Sequence, residues 1–228
     1  MTNPVFVALD TADLDHARAL AAALVGHVGG LKLGLEFFMA NGPLGVAAMA
    51  TFGLPIFLDV KLHDIANTVA GAARALARLD VAIVNVHAAA GRAAMAAVRD
   101  ALPPSTAVIA VTVLTSFDAA DLAAGGVDCP FADQVARLAA AARSAGLQGI
   151  VCAGAEAAAS RATWPDAIIA VPGLRPTGGA AGDQKRVMTP RQAQDAGASL
   201  LVVGRPITAA PNPAAAAAAI AQSLAPSR

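Results

Sequence analysis

Residues 59–65 read Asp59-Val60-Lys61-Leu62-His63-Asp64-Ile65, two carboxylic acids flanking one amine. In an extended strand successive side chains alternate between faces, so Asp59 and Lys61 fall on one side, and Asp64 follows where the chain turns into a helix. The expected product is acid, ammonium and acid within a short reach. An ammonium between carboxylates keeps its proton, because each opposite charge favours the charged form. Such a lysine is a held proton donor, suited to quenching a carbanion rather than to acting as a neutral base or Schiff-base amine. Asp59 can bind a hydroxyl or, opposite a substrate carboxylate, destabilise it by a repulsion that is relieved when carbon dioxide leaves. For this spacing on its own, a solvated salt-bridge cluster is the alternative.

Two more charges end apolar runs, Asp10 after residues 5–9 and Lys32 after residues 29–31. Charges that close to a core need partners, either each other as a structural pair or the Asp59 cluster. Near the other terminus, Val202-Val203-Gly204-Arg205 carries a strand into a glycine and an arginine. Glycine lets backbone N–H groups approach an anion closely, so Gly204 and Arg205 form a candidate phosphate site, over which Arg175 and Gln184 of the long 173–185 stretch can close. A turn glycine beside a surface arginine is the alternative. His87 alternates with Asn85 on an apolar run and has no metal-motif spacing to His63, so no metal site is expected. Ser116 lacks the His and Asp partners of a nucleophile. Cys129 and Cys152 make neither a disulfide framework nor a ligand cluster and read as small buried hydrophobes.

These residues sit at the ends of eight short aliphatic runs: 5–9, 30–33, 55–60, 81–86, 107–113, 149–152, 167–171 and 200–203. Each is too continuous for a half-exposed strand and fits a parallel strand buried on both faces. Between them helical spacing appears. Leu14, Ala17, Ala21 and Leu24 share one stripe behind Thr11 as N-cap, and Ile65, Val69, Ala72, Ala73 and Leu76 share another. Further helices are expected over 91–102, 132–145, 154–161, 189–196 and 212–224, the last two opened by a cap residue and a proline. Eight strands alternating with helical segments is the pattern of a single (β/α)8 TIM barrel over residues 1–228, and no linker-like stretch divides the chain. A doubly wound open sheet is the structural alternative. In a closed barrel chemistry lies at the C-terminal strand ends, and polar residues cluster after every run except the sixth.

Composition narrows the function. The 228 residues include 16 Lys+Arg and 16 Asp+Glu, a formal charge of zero, so no global field attracts nucleic acid or anionic lipid, and phosphate chemistry needs a local site. With no Tyr, one Trp and seven Phe there is no platform for stacking single-stranded bases. A 57% hydrophobic content owes much to alanine, about a quarter of the chain, which favours helix. Apolar windows are broken by Arg18, His27, Lys32, Pro211 or Pro213, and residues 1–9 lack the basic start of a signal peptide. The expectation is a cytoplasmic enzyme with neither membrane nor nucleic-acid partner.

Taken together, the 59–65 segment, Ala8-Leu9-Asp10, Lys32-Leu33-Gly34, Val84-Asn85-Val86-His87, Leu114-Thr115-Ser116, Pro172-Gly173-Leu174-Arg175, Asp183-Gln184-Lys185-Arg186 and Val203-Gly204-Arg205 resemble the orotidine 5'-phosphate decarboxylase family. The match runs in order from residue 8 to about residue 207. The resemblance implies a homodimeric barrel that converts orotidine 5'-monophosphate to uridine 5'-monophosphate without metal or cofactor. It makes Lys61 the proton donor to C6, sets Asp59 against the departing carboxylate, links Lys32 to the ribose and gives Asp10 the ribose hydroxyls. It sends Asp64, Ile65 and Thr68 into the partner subunit's site, puts Thr115 and Ser116 at the pyrimidine edge, and assigns the phosphate to Arg175, Gln184, Gly204 and Arg205. Ala66 stands where the family often has proline, a change expected to affect loop stiffness only. Related barrels that share the D-x-K-x-x-D spacing are magnesium-dependent decarboxylases and aldolases of sugar phosphates, which typically carry Glu at the position of Lys32. A lysine there repels a divalent cation. A non-catalytic barrel that only binds a phosphorylated ligand is the third reading.

Overall fold

The computed structural model describes residues 3–176 and 188–225. Its strands are β1 (Val5–Ala8), β2 (Gly30–Gly34), β3 (Ile56–Leu62), β4 (Ile83–His87), β5 (Ala107–Val111), β6 (Gly149–Val151), β7 (Ile168–Val171) and β8 (Leu200–Val203). They pair in parallel in chain order, with Val7 opposite Leu31 on one side and opposite Val203 on the other. The β1–β8 pairing closes the barrel and removes the open-sheet alternative.

The strands bury both faces because each must serve two cores. Alternate residues such as Phe6, Phe57, Ile83, Ile109, Ala170, Leu200 and Val202 pack against one another in the barrel interior, and the residues between them pack in a larger cluster beneath the helices. Gly30 has no side chain because the Phe6 ring takes the space, coming within 2.3 Å of where a Cβ would stand. Period-two alternation then places Lys32 on the face of Gly30, Asp59 on that of Phe57 and Asn85 on that of Ile83, so polar groups enter the barrel one layer above its apolar floor.

Outside lie α1 (Leu14–Leu24), α2 (Leu35–Ala50), α3 (Ala66–Leu76), α4 (Arg92–Ala101), α5 (Ala119–Ala124), α6 (Phe131–Ser144), α7 (Gly154–Thr163), α8 (Pro190–Asp195), α9 (Arg205–Thr208) and α10 (Pro213–Ser223). The cap of α1 is Asp13 rather than Thr11: its carboxylate accepts from the N–H groups of Asp15 and His16, while the Thr11 hydroxyl accepts the N–H of Asp13. Thr189 caps α8 in a reciprocal box with Gln192, and Asn212 caps α10 ahead of Pro213, as their spacing predicts. No stripe marks α2 in the sequence. Gly42 at φ 58° breaks it just before Pro43, so two short helical stretches meet at a kink. The chain also forms α5 and α9, of six and four residues, too short for any spacing argument to reveal.

Candidate active site

The end of β1 and the strands β2 and β3 bring four charges into one line. The Lys32 ammonium lies 2.6 Å from Asp10 and 3.5 Å from Asp59, and the Lys61 ammonium lies 2.7 Å from the other oxygen of Asp59. Gly34 makes room for this, since a Cβ there would stand 2.7 Å from the Asp10 carboxylate and 3.0 Å from the Lys32 ammonium. Burial pushes the Asp59 carboxyl up, but the charges of Lys61 and Lys32 and hydrogen bonds from Lys61 and Asn85 outweigh it, so the group is held below the usual carboxylate range. Asp59 is therefore an anion at neutral pH although its side chain is nearly enclosed.

Lys61 reaches Asp59 by a different route from the one alternation predicts. Pairing with β4 is regular up to Leu58 opposite Val84 and resumes at Leu62 opposite Val86, so three residues of β3 face one of β4. Within this bulge Lys61 adopts φ 49°, the left-handed region that L-residues other than glycine seldom occupy. Asp64 departs from expectation more strongly. Its carboxylate is exposed and accepts the N–H of its neighbour Ile65 at 2.7 Å, and among the described residues it forms no ion pair with Lys61. It lies in the turn between β3 and α3, and Ile65 and Thr68 are exposed beside it.

Two cavities meet at Asp59, Pro172 and Val202. The polar one, about 220 Å³, is lined by Asp10, Lys32, Arg175, Gly204, Arg205 and Thr208 among others. Arg175 is buried, its guanidinium donates to the Leu174 carbonyl at 2.9 Å, and burial together with the nearby Arg205 charge lowers its pKa. Two guanidinium groups close enough to repel each other favour an anion between them. The second cavity, about 160 Å³, is mostly apolar, lined by Phe57, Val111, Val113, Val151 and Cys152, with Asp59, Lys61 and Thr115 as its polar contributors. Strand β6, which offers no polar residue, thus supplies wall for a flat apolar group, and Cys152 is the buried hydrophobe its sequence context suggests.

Thr115 lines the apolar cavity, whereas Ser116 is exposed and lines neither. Gln184 lies outside the described residues. Thr208, Phe57 and Val202 line the site without having been singled out in the sequence; the position of Thr208 follows from the short turn of α9, and the other two from inward alternation on β3 and β8. His87 stacks on His63 with ring centroids 5.1 Å apart, and burial, aided by His63 and Lys61, lowers its pKa. Among the described residues no group of three or more His, Cys, Asp or Glu side chains is placed to hold a metal ion. Lys32 itself occupies the space between Asp10 and Asp59.

Residues 3–220 match the family described as "Orotidine 5'-phosphate decarboxylase / HUMPS family". The chain belongs to this family. Among curated relatives, the orotidine 5'-phosphate decarboxylases of Novosphingobium aromaticivorans and Sphingopyxis alaskensis are each 56% identical over 98% of this chain and all of their own. Among solved structures, an orotidine 5'-phosphate decarboxylase from Lactobacillus acidophilus superposes with a TM-score of 0.84 at 33% identity, covering 97% of this chain and 99% of that one. The barrel is thus shared with a solved orotidine 5'-phosphate decarboxylase.

Proposed function

We propose that this chain decarboxylates orotidine 5'-monophosphate to uridine 5'-monophosphate and carbon dioxide. The observation that carries the reading is the Lys32–Asp59–Lys61 array at the junction of an apolar cavity and an arginine-lined polar one. The phosphate binds between Arg175 and Arg205 beside Gly204, with Gln184 contributed from the same loop. The ribose hydroxyls meet Asp10 and Lys32, and the pyrimidine enters the apolar cavity against Thr115. That sets the substrate carboxylate opposite the Asp59 anion. The C6–carboxylate bond breaks, carbon dioxide leaves, the electron pair stays on C6, and Lys61 delivers a proton there to form the C6–H bond. Solvent then returns a proton to Lys61.

The site is shared between two copies of the chain. Asp64, Ile65 and Thr68 face outward, and Ile65, Met39 and Leu44 are 71, 76 and 84% exposed, an apolar fraction that a second copy would cover. The protein works in the cytoplasm as a single-domain homodimer; no described helix is long and apolar enough to cross a membrane. The sibling sugar-phosphate chemistry needs a divalent cation, and the Lys32 ammonium seated between two carboxylates opposes one.

The test is the loss of orotidine 5'-monophosphate absorbance with purified protein in excess chelator, run beside the Lys61→Ala variant. Turnover that survives chelation and disappears in the variant is the expected result. Turnover that requires magnesium, or that occurs only with a sugar phosphate, transfers the chain to the sibling chemistry.

A further inference from the structure

Asn85 is fully buried and lines neither cavity, yet it touches both halves of the reacting pair. Its side-chain N–H donates to Asp59 Oδ1 at 2.6 Å, and its Oδ1 accepts the backbone N–H of Lys61 at 2.7 Å. It is also the single residue of β4 that faces the three bulged residues of β3, between the pairs Leu58–Val84 and Leu62–Val86. A bulge leaves ladder groups without their usual partners, and a buried backbone N–H must find another acceptor. Here one primary amide supplies that acceptor and gives its donor to the carboxylate. We infer that Asn85 is a positioning residue for the reaction, a clamp that holds Lys61 in its left-handed conformation and aims the Asp59 carboxylate.

The chemistry restricts what can do this. An amide is the smallest uncharged side chain offering a donor and an acceptor on one planar group. The substitution Asn85→Asp would keep the acceptor for Lys61 and lose the donor to Asp59; Asn85→Leu, of similar shape, would lose both. Asp59 Oδ1 receives Asn85 and the Lys61 ammonium together, while Oδ2 faces Lys32, so the amide decides which oxygen each lysine meets. Because Asn85 stands behind the reacting groups rather than in contact with substrate, its loss is felt in the chemical step more than in binding.

The inference rests on the proposed decarboxylation, and the experiment separates the two. Asn85→Leu and Asn85→Asp are assayed beside the unaltered protein for kcat, KM, affinity for uridine 5'-monophosphate and the acid limb of the kcat–pH profile. Hydrogen exchange of the Lys61 amide is followed in parallel. The expected result for Asn85→Leu is a kcat loss of about 10²-fold, the scale of a misplaced reacting group, with product affinity changed less than about threefold. Its Lys61 amide loses protection, whereas Asn85→Asp keeps that protection. In both variants the acid limb moves toward neutral pH, because Asp59 has lost a hydrogen bond that favours its charged form. Retained Lys61 amide protection in Asn85→Leu, or a kcat within about threefold of the unaltered protein, overturns the inference. So does a loss of kcat and product affinity together with an unmoved acid limb, the signature of general misfolding. An unaltered protein that does not turn over orotidine 5'-monophosphate defeats the proposed activity instead, and the exchange measurement still decides the clamp.

Discussion

Replacing Lys61 with alanine tests the chemistry at its centre, and the structure sets the size of the effect. Lys61 is the ammonium 2.7 Å from Asp59 on the apolar-cavity side, so the variant loses a proton donor and a positive charge together. A positioned general acid contributes about 10²–10⁴-fold. A unit charge about 4 Å from developing charge is worth on the order of 4 kcal/mol at an effective dielectric of about 20, close to 10³-fold. One group supplies both effects, so they do not multiply cleanly, and about 10³-fold in kcat is the minimum expected. Binding should survive, because Arg175, Arg205, Gly204 and Asp10 line the other cavity. Single-turnover decay of substrate absorbance and calorimetric titration with uridine 5'-monophosphate read the two quantities separately. A variant whose kcat falls less than about tenfold refutes the role of Lys61 as proton donor. A variant that binds product more than about 10²-fold more weakly refutes the division of labour between the cavities.

Arg205→Ala removes one charge-assisted partner of an anion, worth about 1.5–3 kcal/mol, so KM should rise about 10–150-fold while kcat at saturation changes little; steady-state kinetics decide it. Mixing Lys61→Ala with Asp64→Ala, each inactive alone, should restore activity to about a quarter of the unaltered level after subunit exchange, since a mixed dimer assembles one complete site from two. No recovery would place Asp64 in its own subunit's site or outside the chemistry. His87 is held below its ordinary pKa of about 6.5, so the unfolded chain takes up a proton at that position before the folded chain does. Stability therefore falls as pH drops below about 6.5 and stops falling below the folded-state value. Thermal unfolding at a series of pH values should show a shallower acid slope in His87→Gln.

The strands were legible because a barrel buries both faces of each, leaving continuous Val, Ile and Leu runs, and the prolines and caps of α8 and α10 carry their own signatures. Thr11 and Asp13 are both capping residue types two positions apart, and the hydroxyl of Thr11 is taken by the Asp13 N–H while the Asp13 carboxylate receives the first-turn donors. Alternation brought Asp59 and Lys61 together although β3 is not regular between them; the bulge reaches the same side by a left-handed turn. Sequence proximity suggests Asp64 beside Lys61, whereas in the turn before α3 its carboxylate is exposed and accepts the Ile65 N–H. Asn85 could be seen as polar on an apolar strand, but its two partners lie 24 and 26 residues away. That pairing depends on register between strands, which no local pattern records.

The left-handed backbone at Lys61 has a consequence for how this position can evolve. A residue other than glycine held there costs on the order of 1–3 kcal/mol, so Lys61→Gly should relieve the backbone while abolishing the proton donor. Fold stability and turnover thus pull residue 61 in opposite directions. A population selected only for heat resistance would drift toward glycine at this site, and one selected for growth without external pyrimidine would hold lysine. The identity of a single residue would then tell which demand a lineage had been under.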